Sequence, residues 1–404
     1  MLRPLKRWWR SLAARWSWPV SQTPGVLWSA PQSAAGVPVT EADALSLSGV
    51  FAAVTLLSRV IGALPLKVYR QSGRERLPAT TNPAYPVLAT QANPEMTAAT
   101  YRRTMEFHRC LWGNAYAEIG WAGSGAVRAL WPIEPWRGKP RRDDGGGLYY
   151  EVDGRRRVAP ADMVHHTLVS LDGIAGRSFV EFALESLGLS LATQTHAGAY
   201  FGNGARPGVI LEHAGQPTEA ARKEMRRGWN ERHQGAGKAG GTAILWGGWK
   251  WVGTDGQVDP EKSQLLEQRR FGVEEVARWL NVPPHLLRDL SRATFSNIEH
   301  QGIDFVVYSI GPTLVEVEQE YDRKLLAPPA VYCKHTVAGL MRGDGAARSA
   351  YYTSQFNIGA LSINEIRDLE ERNPIEGGDT YFVPANMMTL GDALAPPEPR
   401  PAPA

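Results

Sequence analysis

Along the chain, stretches whose apolar residues recur every three or four positions give way to stretches where they recur every two, and this change of period predicts the elements. From Leu47 the run VFAAVTLLSRVIGALPLKVY reads as a helix and then, past Pro65, as a short strand. A second helix is predicted over roughly 98–111, and Gly113-Asn114 turns it into the strand AYAEIGW. From there to His166 the segments LWPI, LYYEV, RRRVA and MVHHTLV are strand-like and separated by Gly, Pro and Asp. The expectation is an antiparallel β region closed by helices.

Ser178-Phe179-Val180-Glu181 has the form of a capping box, in which the serine hydroxyl and the glutamate satisfy free amides of a first helical turn. Val180, Leu184, Leu187 and Leu191 follow at helical spacing, so one long helix is predicted as far as the Gly202-Asn203-Gly204 stop. A small insert comes next: strand VILEH, a charged helix over 218–233, a Gly-rich loop, and strands TAILW and WKWVG. Asp259-Pro260-Glu261 suits the start of another helix, which Val282-Pro283-Pro284 ends. The polar segment RDLSRATF leads to a second capping box, Ser296 to Glu299, opening a helix to about Leu326 that Gly311-Pro312 should kink. A third box, Ser362 to Glu365, begins one of the last helices. The fold class is therefore α+β, in the order β-rich base, helix, insert, helix, loop, kinked helix, helical end.

Composition narrows the class without naming a chemistry. With 404 residues, 43% hydrophobic and 21% charged, the chain has the makings of two or three domains of about 150 residues and is not broadly disordered. Cys110 and Cys333 offer neither a disulfide framework nor a four-cysteine metal site, so a reducing compartment is expected. The apolar run GVFAAVTLL is cut by Arg59 well short of the ~18 residues that span a bilayer. Arg15 interrupts the place where a secretory signal would carry its apolar region, and secretion is not expected.

Charge is unevenly spread. Of 44 basic and 41 acidic residues, Arg3, Lys6, Arg7, Arg10 and Arg15 fall in the first 40 positions, which hold no acid. That leaves 39 basic against 41 acidic groups in the body, which is no basic clamp. In the arm, Leu2, Leu5, Trp8, Trp9, Leu12 and Trp16 recur at helical spacing with the cations between them, as in a basic amphipathic helix. Such a helix suits a membrane, nucleic acid or a partner protein, or a terminus docking its tryptophans on its own assembly. Residues 19–40 read as linker and LAPPEPRPAPA as a Pro-rich tail.

Catalytic patterns are weak. Gly235, Gly237 and Gly240 match GxGxxG, but after a helix and before a strand, the reverse of a dinucleotide site. Lys238 is followed by Ala239, where a phosphate loop needs Ser or Thr. His165 and His166 alternate along a strand and so do not readily share a metal; His108 and Cys110 lack a third ligand, and Glu274-Glu275 reads as a solvated edge. No catalytic, cofactor or metal site is expected.

A set of strings in a fixed order carries a resemblance across most of the body. SGVFAAVTLLSRVIGALPLKVY, GNAYAEI, HHTLVSLDGIAGRSFVEFA, FGNGARPGVIL, LNVPPHLL, ATFSNIEHQGIDFVVYSIGPTLVEVEQEYDRKLL and GALSINEIRDLEERNPIEGGD together resemble the portal proteins of long-tailed bacteriophages, a family that includes prophage and gene-transfer-agent portals. The resemblance implies a dodecameric ring at the unique capsid vertex of the virion, built in the host cytoplasm. It implies partners in the terminase large subunit, a head-tail adaptor, and the major capsid and scaffolding proteins. Double-stranded DNA would pass through the channel without sequence specificity, with no cofactor and no transmembrane segment. It also divides the chain: 1–40 basic flexible arm and linker, 41–177 β-rich wing, 178–204 and 259–287 a two-helix stem, 205–258 a small α+β clip. Residues 288–345 would hold the tunnel loop, the long kinked helix and the return to the wing, 346–390 a short helical crown, and 391–404 a disordered tail. The short crown and the tryptophan-rich arm depart from the family pattern.

On this resemblance Arg288, Arg292, Thr294, Phe295 and Asn297, at the tunnel loop, line or support the narrowest part of the DNA channel, unless RDLSRATF is an ordinary surface loop. Arg226, Arg227, Trp229, Trp246, Trp249 and Trp251 would dock terminase or adaptor, unless the tryptophans fill a small core or a subunit interface. The charge arithmetic agrees, because each phosphate-neutralising cation adds a counterion-release term that a ring repeats in every subunit, which impedes sliding. The alternatives from other classes are a nucleic-acid-acting hydrolase with a site assembled from distant residues, and a monomeric DNA-binding module using the arm.

Overall fold

The computed structural model describes residues 31–202, 210–233, 245, 248–252, 265–289, 302–326, 328–337, 345–370 and 372–382. The chain forms two compact units, one of residues 1–51 and 180–276, the other of 52–179 and 277–404.

The second unit holds the β-rich region, and among the described residues its strand pairs are antiparallel. Helix α2 (Ser48–Ala63) runs into it and hands over to β1 (Leu66–Ser72), which lies between β15 (Val331–His335) and β2 (Glu75–Pro78). Strand β5 (Asn114–Trp121) lies between β10 (Met163–Thr167) and β6 (Val127–Ile133), and β7 (Gly138–Arg142), β8 (Leu148–Val152) and β9 (Arg156–Val158) make a third sheet. Period-two alternation in β5 feeds two cores. Ala115, Ala117 and Ile119 join the larger one with Leu66, Val68, Tyr101, Met105, Leu130, Val317 and Tyr321, whereas Tyr116 joins Ile133, Tyr150, Val152, Val158 and Met163.

Helix α4 (Ala98–Trp112) matches its predicted span and packs on that larger core. Its Arg102 is buried and donates to the carbonyls of Gly62, Leu64 and Leu88, closing the ends of α2 and of α3 (Ala84–Ala89). The chain leaves α4 through Gly113 at φ 73°, a left-handed position, and a Cβ there would lie 2.2 Å from the Arg177 carbonyl oxygen. That close approach brings the hairpin β11 (Val169–Ser170) and β12 (Gly176–Arg177) against the start of β5.

In the first unit, helix α1 (Glu41–Leu45) is opened by a capping box of Thr40 and Asp43 and packs on α6 (Leu184–Gly202). Residues 31–40, expected as linker, instead pack on α6 as well. Val39 is 1% exposed, Ala34 N donates to Glu185 at 2.9 Å, and the bare Gly188 admits Ser33, whose Oγ would lie 2.2 Å from a Cβ. The single helix predicted after Ser178 is interrupted: α5 (Phe179–Phe182) and α6 are separated by a turn at Ala183. Within the second unit, the Ser178 hydroxyl donates to the Leu111 carbonyl at 2.7 Å.

The insert has β13 (Ile210–His213) paired antiparallel with β14 (Trp249–Val252), and α7 (Glu219–His233) opened by Thr218. The strand TAILW falls almost wholly outside the described residues, as do the GxGxxG loop, the start expected at Asp259, the Ser296 box, the basic arm and the Pro-rich tail. Helix α8 (Leu265–Trp279) follows; its Gly272 lies close to Ser190 of α6, whose Oγ would be 3.0 Å from a Cβ.

Candidate functional site

Of the predicted tunnel-loop residues, Arg288 is described and Arg292, Thr294, Phe295 and Asn297 lie outside the described residues. The two prolines after α8 preset a 3₁₀ turn over Pro284–Leu287. Arg288 ends it at φ 66° with an exposed side chain, an unusual conformation for a residue bearing a Cβ.

The expected kinked helix takes a particular form. Residues 302–304 are helical, Phe305–Ile310 make a π-helical turn, and α9 (Gly311–Leu325) continues from it. Pro312 has no amide to give and its ring crowds the carbonyl four residues earlier, that of Tyr308. The turn widens so that Gly311 N–H reaches the Val306 carbonyl, while the Tyr308 carbonyl accepts from Asn281 Nδ2 at 2.9 Å.

Buried polar groups wire α9 to its neighbours. Glu106 and Arg109 of α4 pair through two bonds of 2.8 and 2.7 Å, and Arg109 also donates to Thr313 Oγ1 at 3.0 Å and to the Thr167 carbonyl at 3.3 Å. Burial works against the Arg109 charge, and the Glu106 carboxylate outweighs it, so the guanidinium stays firmly protonated. Glu318 accepts from Lys334 at 2.5 Å and from both the amide and Nδ1 of His335 at 2.7 and 3.0 Å. Burial opposes that carboxylate's charge too, and the hydrogen bonds from His335 and Lys334 win, holding its pKa below the usual range. Asp322 accepts from the Cys333 amide at 2.7 Å, and Lys324 Nζ donates to the Pro160 carbonyl. The helix is a braced strut. Ile303, Val307, Tyr308 and Val315 on it are each 44–67% exposed.

A cavity of about 370 Å³ opens beside the strut, lined by Arg109, Tyr150, His165, His166, Glu320 and Arg323 among others. Two of its basic charges are paired: Arg323 with Glu320 at 2.5 Å, and Arg109 with Glu106. Asn114 Oδ1, already an acceptor for Gly176 N–H, is 3.0 Å from His165 Nε2, so that nitrogen carries the proton and Nδ1 accepts from Tyr150 at 3.1 Å. Burial above all lowers His165 and His166 to about 3, and both are neutral at physiological pH. As alternation predicts, their surroundings differ: His165 stacks on Tyr116 and His166 meets the edge of Tyr321. Among the described residues no group of three His, Cys, Asp or Glu is placed to hold a metal ion. What the arrangement does chemically is hold a helix in register with two sheets.

In the insert, Arg226 and Arg227 are exposed and Trp229 is half-buried on α7, whose Met225 is 5% exposed. Trp249 is half-buried, opposite His213 in the hairpin register, with ring centroids 5.1 Å apart. Trp251 lies opposite Leu211, and Trp246 is outside the described residues. The structure brings Trp249 and Trp251 onto one strand; Arg226, Arg227 and Trp229 share a helix.

Sequence reasoning missed the buried wiring. A usable signal was present: Arg102, Glu106 and Arg109 recur at helical spacing among Tyr101, Met105 and Cys110, on the stripe that faces the core.

The sequence model of the family described as phage portal protein matches residues 48–371. A probable portal protein of Streptomyces phage phiC31 is 32% identical over 90% of this chain and 83% of its own length. A solved HK97-family phage portal protein from Corynebacterium diphtheriae superposes with a TM-score of 0.58 at 18% identity, covering 76% of this chain and 97% of that one. A chain from the neck of a native gene transfer agent particle, computed with C12 symmetry, gives a TM-score of 0.53 at 22% identity over 82% of this chain and 94% of its own.

Proposed function

The chain belongs to the phage portal protein family, and from that premise we propose that it closes into a dodecameric ring at one capsid vertex, the conduit for genome packaging and ejection. The observation that carries the reading is the family match over residues 48–371, which takes in the β-rich region, the helices on either side of the insert, and the braced strut. The C12 neck that shares this fold supports the subunit number. Portal proteins are structural, and the ion pairs Arg109–Glu106 and Arg323–Glu320 beside the 370 Å³ cavity suit a load-bearing role.

In this reading residues 41–177 are the wing, 178–204 and 259–287 the stem, 205–258 the clip and 346–390 the crown, within a particle assembled in the host cytoplasm. Terminase large subunit and then a head-tail adaptor dock on the clip through Arg226, Arg227, Trp229, Trp246, Trp249 and Trp251, and capsid and scaffolding proteins surround the wing. Arg288, Arg292, Thr294, Phe295 and Asn297 line the narrowest passage, on the loop that the strut supports. A body with 39 basic against 41 acidic residues lets duplex DNA slide.

Electron microscopy of the purified protein tests the class: closed rings with a central hole are expected, and monodisperse monomers at high concentration refute it. Shortening RDLSRATF should impair packaging or retention of DNA in assembled particles; unchanged packaging overturns the loop assignment. Replacing Trp249 should weaken terminase or adaptor binding while leaving rings intact, whereas loss of the rings assigns it to subunit packing.

A further inference from the structure

The helical end of the chain has an unusual physical make-up. It comprises α10 (Gly345–Asn357), α11 (Ile363–Leu369) and the segment that follows to Phe382. Among its described side chains only Ser362, Asn364 and the bare Gly378 are buried, and no large apolar residue is. Hydrogen bonds and a partly exposed ring contact, Phe356 with Phe382 at 5.7 Å between centroids, set its shape. Ser362 and Glu365 form the predicted capping box. Asn364 donates to the Ile375 carbonyl at 3.0 Å and to Asp379 at 2.9 Å, and accepts from the Ile375 amide at 2.8 Å. Tyr352 donates to Glu370 at 2.6 Å.

Meanwhile Tyr351, Ile358, Ile375, Tyr381 and Phe382 are each 45–57% exposed. Hydrogen bonds formed in water return little net free energy, and ordering the backbone costs more than they supply. A helix pair of this size without an apolar core does not hold itself together.

Something therefore covers these residues. Duplex DNA is a poor occupant, since residues 345–382 carry six acids and three basic groups. The chain's own residues 383–404 include six prolines, which cannot continue a helix or join the interior of a sheet. A second copy fits best. Cyclic symmetry sets the same segment of each neighbour at the same height on the axis, and a head-to-tail contact needs two different patches. The segment has them: Tyr351 and Ile358, seven residues apart at the helix and its end, and Ile375, Tyr381 and Phe382 on the stretch after α11.

We infer that residues 345–382 fold fully only when the ring closes, each copy's apolar patches being covered by the same segment of its neighbours. The inference rests on the ring reading above. Hydrogen–deuterium exchange of the full chain, with rings and monomers separated by sedimentation, tests it. Amides of 345–382 should exchange at least tenfold more slowly in rings than in monomers, while those of α4 match in the two forms. The double variant Y351S/I358S should lose that protection within rings that still close. Equal protection of 345–382 in rings and monomers overturns the inference and leaves the ring reading standing. So does protection in monomers that disappears when the chain is truncated after Phe382, because the tail would then be the occupant. A wild-type preparation with no ring mass at any concentration overturns both.

Discussion

Replacing Arg109 with methionine should destabilise the protein far more than removing both members of its ion pair. Glu106 has a side chain 2% exposed, and its two short bonds come from Arg109. In Arg109→Met the carboxylate keeps only the Cys110 thiol at 3.1 Å, while Thr313 Oγ1 and the Thr167 carbonyl each lose a charged donor. Removing one partner of a buried pair costs about 3–5 kcal/mol, because the survivor stays desolvated and uncompensated. Replacing both with apolar groups of similar volume removes the charges together and should cost within about 1–2 kcal/mol. The assay is urea unfolding of wild type, Glu106→Leu, Arg109→Met and the double variant, at one protein concentration and in one assembly state, since oligomerisation adds to apparent stability. A coupling of at least about 2 kcal/mol is expected. If Arg109→Met costs less than about 1 kcal/mol, or the double variant costs as much as the two singles together, the pair is not the buried clamp described above.

Acid should weaken the fold through His166. Its folded pKa of about 3, lowered mainly by burial and then by Arg109, lies below the ordinary value of 6.5, so its stabilisation is complete above pH 6.5 and is lost as pH falls toward 3. The expected loss from this one group is about 1.4 kcal/mol per pH unit between pH 6 and 4, beside a similar share from His165, and His166→Asn should flatten the slope by that one share; an unchanged slope refutes the assignment. Gly113→Ala should leave the protein insoluble, since its Cβ would sit 2.2 Å from the Arg177 carbonyl oxygen, whereas Gly73→Ala, also at positive φ but with open space around it, should cost only about 1 kcal/mol in unfolding free energy. Asn281→Ala should cost about 1–2 kcal/mol by leaving the Tyr308 carbonyl without its side-chain donor and by replacing asparagine, which tolerates φ 51°, with a residue that does not; Asn281→Gly, which relieves only the backbone, should recover part of that in the same unfolding assay.

The elements that depend on local pattern were legible. The span of α4, the Gly113 turn, the two-faced strand β5 and the Ser362 capping box follow from apolar period and cap chemistry acting over a few residues. The packing of residues 31–40 was not, because it depends on distant contacts, Gly188 with Ser33 among them, and the break at Ala183 carries no local signal in the apolar spacing. The α4 to α9 clamp was hidden for two reasons. A charged residue on a helix reads as solvated until its partner is known, and Thr313 lies 204 positions from Arg109. The docking and tunnel residues were singled out by family resemblance rather than by any periodic signal, and of the five tunnel-loop residues only Arg288 lies among the described positions.

A π turn holds one residue more than the α turn it replaces, so Phe305–Ile310 accommodates an extra residue without breaking the helix. Each residue of an α-helix advances about 100° around the axis, and the residues ahead of the turn, Ile303 among them, are therefore presented about a quarter of a revolution away from where an uninterrupted helix from α9 would place them. Deleting one residue between Phe305 and Ile310 would let the turn close to α geometry, with the leading segment and Gly311–Leu325 both keeping their present facing. The turn is therefore a buffer for chain length: one codon gained or lost there is taken up locally, and neither the aim of the lead-in nor the footing of the strut changes.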